Sequence, residues 1–302
     1  MTSRIGVDVG GTTLRVRRYP GTQDDRVEEP TGVVGGEAVA ERIALLVGQL
    51  PPGERPSVVG IGIPGLVDPV AGTVRHAVNL GIDGAPFPLA GRLSRRLGLP
   101  VAVENDVRTA ALGAFQYLAE RLPEVRDIVY LSVGTGISAG VVIDGRLHRG
   151  RHGIAGEIGH APLGGDSTPC RCGLAGCLEA VAGGRALDEV VPGGAHQLFA
   201  EPSPDQMRRD SVADALARAL YVLAIAYDPD ILVIGGGIGP DAAPTVRKAL
   251  AALSASSPFG EAVLAGDRVT TLPPDAEVGT AGAALLEPSS APADDPQGGE
   301  QS

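Results

Sequence analysis

The first apolar run, Ile5-Gly6-Val7-Asp8-Val9, is short and reads as a buried strand that ends at Gly10-Gly11-Thr12. Leu14-Arg15-Val16-Arg17 then alternates apolar and polar positions, so the two pieces predict a β-hairpin. Val39, Ile43, Leu46 and Leu50 recur at helical spacing over 37–50. Val58 to Ile63 predicts a strand stopped by Pro64-Gly65, and Asp68-Pro69 with Ala71-Gly72 marks a turn. Leu89, Leu93 and Leu97 define a helix over 88–97 that ends at Gly98 and Pro100. Val101-Ala102-Val103 is a further strand, followed by Glu104-Asn105-Asp106 and an alanine-rich helix to about Tyr117. The pattern then starts again. Ile128 to Val133 predicts a strand, Gly134-Thr135-Gly136 a turn and Gly140 to Ile143 a second strand, with Gly134 lying 124 positions after Gly10. So short a repeat leaves duplication and coincidence both open. Residues 144–180 are loop-rich, 211–226 helical, and Ile231 to Ile234 runs as a strand into Gly235-Gly236-Gly237. Helices follow near 241–253 and 278–286. Strands alternating with helices in two halves predict an α/β protein.

Composition narrows the function classes. A chain of 302 residues suits two domains at ~150 residues each, and 43% hydrophobic with 20% charged residues is the balance of a globular protein. A net charge of −11 disfavours a non-specific nucleic-acid binder, which needs cations against phosphates. No apolar stretch reaches the ~18 residues of a membrane span. Met1-Thr2-Ser3-Arg4 runs straight into the first strand without a basic and apolar leader, so a cytoplasmic protein is expected. Lysine occurs once, at Lys248, so neither a P-loop lysine nor the strand lysine of protein kinases is available. The tail from Pro288 to Ser302 is Pro, Ser, Asp, Gly and Gln, the composition of a disordered segment.

The chemistry collects at the glycine turns. Gly10-Gly11-Thr12, Gly134-Thr135-Gly136 and Gly235-Gly236-Gly237 each follow a strand, where consecutive small residues let backbone N–H groups converge on an anion. The bland alternative is a hairpin that needs positive φ. A dinucleotide fingerprint fails at Gly134-Thr135-Gly136, because the third glycine, Gly140, is one position late and a strand follows. Asp8, near the end of its strand, calls for a cation such as magnesium or for donors in its own turn. Asn105-Asp106 opens a helix; Asn and Asp are preferred caps, and a carboxylate there also suits a proton acceptor for a substrate hydroxyl. His160 with Cys170, Cys172 and Cys177 uses every cysteine of the chain and fits a closed, structural Cys3His zinc site. Glycines at 164, 165, 173 and 176 allow the loop to wrap the ion.

Together these motifs resemble the ROK family (repressors, open reading frames and sugar kinases) over roughly residues 4–286. The most specific part is Gly156-Glu157-Ile158-Gly159-His160 followed by Cys170-Arg171-Cys172-Gly173-Leu174-Ala175-Gly176-Cys177-Leu178-Glu179. The resemblance implies a two-lobed actin-like ATPase (ribonuclease H-like) α/β fold with mixed sheets and an interlobe cleft. Its lobes would span 1–117 and 118–277, with the helix at about 278–287 packing back on the first. It implies ATP-dependent phosphorylation of a hexose, glucose to glucose 6-phosphate above others, with Asp106 as general base. Asn105, Glu157, His160 and Glu179, and also Gly65 and Asn79, would hydrogen-bond the sugar. Asp8 and the three glycine turns would serve ATP and Mg2+, and structural zinc would brace the loop carrying Glu157, His160 and Glu179. A cyclitol or N-acylhexosamine kinase, or a non-catalytic sugar-responsive regulator, are the alternatives. The DNA-binding segment of family repressors is not expected, since the first strand begins at Arg4. The family also implies a homo-oligomer, dimer or tetramer.

Overall fold

The computed structural model describes residues 2–163, 167–264 and 268–289. Gly164, Gly165 and the tail beyond 289 lie outside the described residues. The chain divides into two compact units, Met1–Gly113 with Gly279–Ser302, and Ala114–Val278.

The first unit opens with β1 (Arg4–Val9), β2 (Thr13–Tyr19) and β3 (Arg26–Pro30), followed by α1 (Gly36–Gln49) and β4 (Val59–Ile63). A small hairpin, β5 (Leu66–Asp68) and β6 (Thr73–Arg75), precedes α2 (Leu89–Leu97), β7 (Val101–Asn105) and α3 (Asp106–Ala119), whose residues from Ala114 on are counted with the second unit. The sheet order is β3-β2-β1-β4-β7. β1 pairs antiparallel with β2 in the expected hairpin, Val9 opposite Leu14, and parallel with β4, which is parallel to β7. β4 is buried at every position, as a strand covered on both faces must be. Ile5, Val7, Ile43, Leu46, Ile61 and Leu93 belong to one core. α2 ends on Gly98 in the left-handed region, as the Gly98-Pro100 signal predicts.

The second unit carries β8 (Ile128–Val133), β9 (Ile137–Ile143) and β10 (Arg146–Leu147), then α4 (Leu178–Ala182), α5 (Gly184–Val190), α6 (Ala195–Leu198) and α7 (Gln206–Tyr227). β11 (Ile231–Gly235), α8 (Gly239–Ser254), α9 (Pro258–Val263) and β12 (Val269–Thr270) complete it. Its sheet runs β10-β9-β8-β11-β12, with β8 antiparallel to β9 and parallel to β11. A separate core contains Val129, Leu131, Leu216, Leu220, Leu232 and Ile234. α7 begins five residues before the expected 211, because Asp205 caps it by accepting from the Arg208 N–H at 2.9 Å.

The last helix of the described residues is α10 (Val278–Ala284), which from Gly279 onward belongs to the first unit. Glycines allow its close seat. A Cβ at Gly6 of β1 would run into the Thr280 carbonyl, and one at Gly60 of β4 into that of Ala283. Arg4 fastens the far end, donating to the Leu286 carbonyl at 2.5 Å and pairing with Glu287 at 2.7 Å.

Candidate active site

In the first unit, parallel strands β1, β4 and β7 end side by side, Asp8 opposite Gly62 and Ile63 opposite Asn105. Loops at the carboxyl ends of parallel strands are where α/β folds hold ligands. β7 runs directly into α3, so Asn105 caps the helix. Its Oδ1 accepts from the Val107 N–H at 3.0 Å and the Arg108 N–H at 3.2 Å. Its Nδ2 donates to the Gly65 carbonyl at 3.3 Å, bringing two of the predicted residues together. Asp106 takes the first helical position, and its Oδ1 accepts from the Val107 N–H at 2.9 Å. The capping group and a carboxylate therefore sit on one dipeptide. Gly65 has φ of 105°, which suits glycine at the tight corner after β4.

The first glycine turn sits one residue past Asp8's neighbour Val9. Gly10 N–H closes the turn on the Thr13 carbonyl at 2.8 Å, and the N–H groups of Gly11 and Thr12 donate to no protein group among the described residues. Asn79 lies beside Gly11. Asp8 carries its charge into a partly buried place. Burial pushes its carboxyl above the ordinary carboxylate range, Arg15 at 3.7 Å opposes that shift, and Glu28 adds to it. A carboxylate held so fits a divalent cation. Gly279 of α10 packs against it, with room for a Cβ only 2.6 Å from Oδ2.

In the second unit, Gly134 closes on the Gly136 carbonyl at 3.0 Å. The Gly134 and Thr135 carbonyls accept from Gly184 and Arg185 at the start of α5 at 2.8 and 3.0 Å. The N–H groups of Thr135, Gly136 and Gly237 donate to no protein group among the described residues. Gly134 and Gly237 are neighbours, 3.6 Å separating the Gly237 nitrogen from the place of a Cβ on Gly134. The Tyr130 hydroxyl accepts from the Gly236 N–H at 3.1 Å and lies against Gly235, a brace that the alternation of β8 alone did not single out. Glu179 reaches the same turn, accepting from the Ile137 N–H at 2.9 Å and leaving no space for a side chain on Gly136.

His160, Cys170, Cys172 and Cys177 bring their ligand atoms within 4.8 Å of one another. Cys172 and Cys177 sulfurs are 3.7 Å apart, the edge of a tetrahedron with ~2.3 Å zinc–sulfur bonds. His160 turns Nδ1 to Cys170 Sγ at 3.8 Å, which leaves Nε2 for another partner. Burial and the neighbouring thiols push the Cys177 thiol up to about 12, so a cation is what would hold that thiol deprotonated. The residues present fit zinc. Cys177 immediately precedes α4, which carries Glu179, and a 3-10 turn over Ile158–His160 joins His160 to Glu157, whose carbonyl accepts from the His160 N–H at 3.1 Å. Gly156, at φ 96°, packs against the Ala139 carbonyl of β9. The four candidate ligands thus share one segment of chain with Glu157 and Glu179.

Sequence reasoning missed several supporting groups: Arg15 beside Asp8, Tyr130 behind Gly236, and the buried pair of Glu104 and Arg108 behind Asn105. Their partners come from other strands or lie across the junction of β7 and α3, so spacing along the chain left no signal for them.

The ROK family profile matches residues 4–289, and the chain belongs to the ROK family. A glucokinase of Thermotoga maritima is 37% identical over 78% of this chain and 81% of its own. The ROK hexokinase of Thermus thermophilus is 31% identical with a TM-score of 0.75, covering 94% of this chain and 97% of its own. The ROK glucokinase of Streptomyces griseus, solved with glucose and AMPPNP, is 26% identical with a TM-score of 0.71, covering 93% and 98%. The fold is the actin-like ATPase fold of these sugar kinases. No helix among the described residues is long and apolar enough to cross a membrane.

Proposed function

We propose that the protein is an ATP-dependent glucose kinase that makes glucose 6-phosphate, with Asp106 as the general base. The observation that carries this reading is the Asp106 carboxylate at a strand–helix junction, beside an Asn105 that caps the helix and holds Gly65. As the sugar oxygen bonds to the terminal phosphorus, its proton passes to Asp106 and the bond to the bridging oxygen breaks, releasing ADP. Asn105, Gly65, Asn79, Glu157, His160 and Glu179 supply hydroxyl partners, as a site that selects a polyol needs. The N–H groups of Gly11, Thr12, Thr135, Gly136 and Gly237, free of protein partners among the described residues, receive phosphate and ribose oxygens. Asp8 holds magnesium, which when bound neutralises charge on the triphosphate. Zinc on His160, Cys170, Cys172 and Cys177 is structural: with four protein ligands it has no open position. Thiolate ligands suit the reducing cytoplasm, and the enzyme works there as a homo-oligomer.

The reading is tested by a coupled assay of ADP release against glucose, other hexoses, N-acylhexosamines and cyclitols, with phosphorus NMR of the product. Glucose is expected to give the highest kcat/KM and a 6-phosphate ester. Asp106→Ala is expected to lower kcat by about 10³-fold while glucose still binds by calorimetry. Preference for an N-acylhexosamine or a cyclitol would reassign the acceptor, and full turnover by Asp106→Ala would remove the base.

A further inference from the structure

Directly behind the proposed base lies an ion pair with almost no access to water. Glu104, the penultimate residue of β7, is 0% exposed, and Arg108, one turn into α3, is 4% exposed. The Arg108 Nη1 donates to Glu104 Oε1 at 3.3 Å, and the same oxygen accepts from the Asn105 N–H at 2.8 Å. The backbone N–H of Arg108 donates in turn to Asn105 Oδ1 at 3.2 Å. Glu104 and Arg108 therefore grip Asn105 and Asp106 from the strand side and the helix side. The next turn is fixed as well: the Thr109 hydroxyl donates to the Asp106 carbonyl at 2.7 Å, and glycine at 62 leaves it the space.

A buried pair of this kind is an uncertain source of stability, because two desolvated charges repay their cost only in good geometry. An apolar pair of similar volume would fill the place at less risk. What the ion pair adds is direction. It spans the strand–helix junction, so it sets how β7 hands over to α3 and where the Asp106 carboxylate stands.

We propose that Glu104 and Arg108 are positioning residues for phosphoryl transfer, a junction clamp that holds Asn105 and Asp106 in reacting geometry. The proposal rests on Asp106 being the base. Displacement of a reacting group by about 1 Å costs roughly 100-fold in rate, whereas contacts that only bind sugar are made equally before and during the reaction. The clamp is therefore expected to act chiefly on kcat through Asp106, with a smaller effect on glucose affinity through the single contact of Asn105.

Two variants of the full chain separate positioning from support. Glu104→Asp keeps the charge and withdraws the carboxylate by one methylene. The double variant Glu104→Gln with Arg108→Met keeps both volumes and leaves no unpaired charge. In each, kcat is expected to fall about 10-fold or more while the glucose Kd from calorimetry stays within about threefold. Arg108→Lys, which keeps a cation on a long stem, is expected to recover kcat to within about fivefold of the unaltered enzyme. Unaltered kcat in folded Glu104→Asp overturns the proposal, as does a loss shared equally between kcat and glucose affinity. If the double variant does not fold, Glu104→Asp decides alone. Asp106→Ala is measured alongside. Its inactivity with full turnover in Glu104→Asp rejects only the clamp, whereas its full activity rejects the base reading itself.

Discussion

The two units are built on the same sheet. Each places two antiparallel strands on one side of a central strand and parallel strands on the other, in the orders β3-β2-β1-β4-β7 and β10-β9-β8-β11-β12. Registers match: Asp8 lies opposite Gly62 as Ser132 lies opposite Gly235. The difference is chemical. At equivalent points one before last in the central strand, the first unit has a carboxylate and the second a hydroxyl. Past the last parallel strand of the first unit the Asn105-Asp106 helix begins at once, whereas β12 is followed first by a short 3-10 turn over Pro274–Ala276 and then by α10. The second unit instead inserts α4 to α7 and the Cys3His set between β10 and β11. One framework, matched in form, carries Asp8 and Asp106 on one copy and the Cys3His cluster on the other.

That contrast is most directly broken at Asp8 and Ser132. Asp8→Asn is expected to lower kcat/KM for MgATP by about 100-fold, while Ser132→Ala stays within about twofold; equal losses in steady-state assays would abolish the distinction. Cys170→Ser comes next. It should remove about one zinc per chain by elemental analysis and raise the glucose KM about 10-fold, with the second unit losing protection in hydrogen exchange and the first keeping it. Zinc retained at full occupancy would sink the metal assignment. Smaller again is a pair of glycine substitutions. Gly6→Ala should cost about 3 kcal/mol in urea unfolding because the Thr280 carbonyl occupies the space, and Gly134→Ala, with 3.6 Å clear, only about 0.5 kcal/mol. The smallest effect concerns pH. Because the folded protein raises the Asp8 pKa above its unfolded value, stability falls as pH climbs through that raised value, and the deficit persists at neutral pH. Asp8→Asn should therefore raise Tm at pH 7 without magnesium and lose that advantage below the unfolded carboxylate range.

Much of this was readable in the chain. The strands at Ile5, Val58, Val101, Ile128 and Ile231 and the helices near 37–50, 88–97 and 241–253 fall where period and punctuation put them. The echo of Gly10 in Gly134, too short to interpret in sequence, becomes a matched hairpin in the structure. What the pattern hid was short or polar. β3, Arg26–Pro30, alternates only once and is mostly charged, because an edge strand exposes its outer face. α5 and α6 within 184–198 are one or two turns long, too brief for a 3.6-residue period to register. The cysteine cluster was legible because spacing carries ligation. The Glu104–Arg108 pair was not, since burial of two charges is a property of packing.

The seat of α10 has a consequence for biosynthesis. Gly6 and Gly60 are shaped for a helix made much later in the chain, so β1 and β4 cannot complete that packing when they emerge from the ribosome. Roughly 170 residues separate β7 from α10, about 10–30 s of translation. During that interval the second unit, continuous in the chain, is free to fold first, and the older half of the polypeptide matures last.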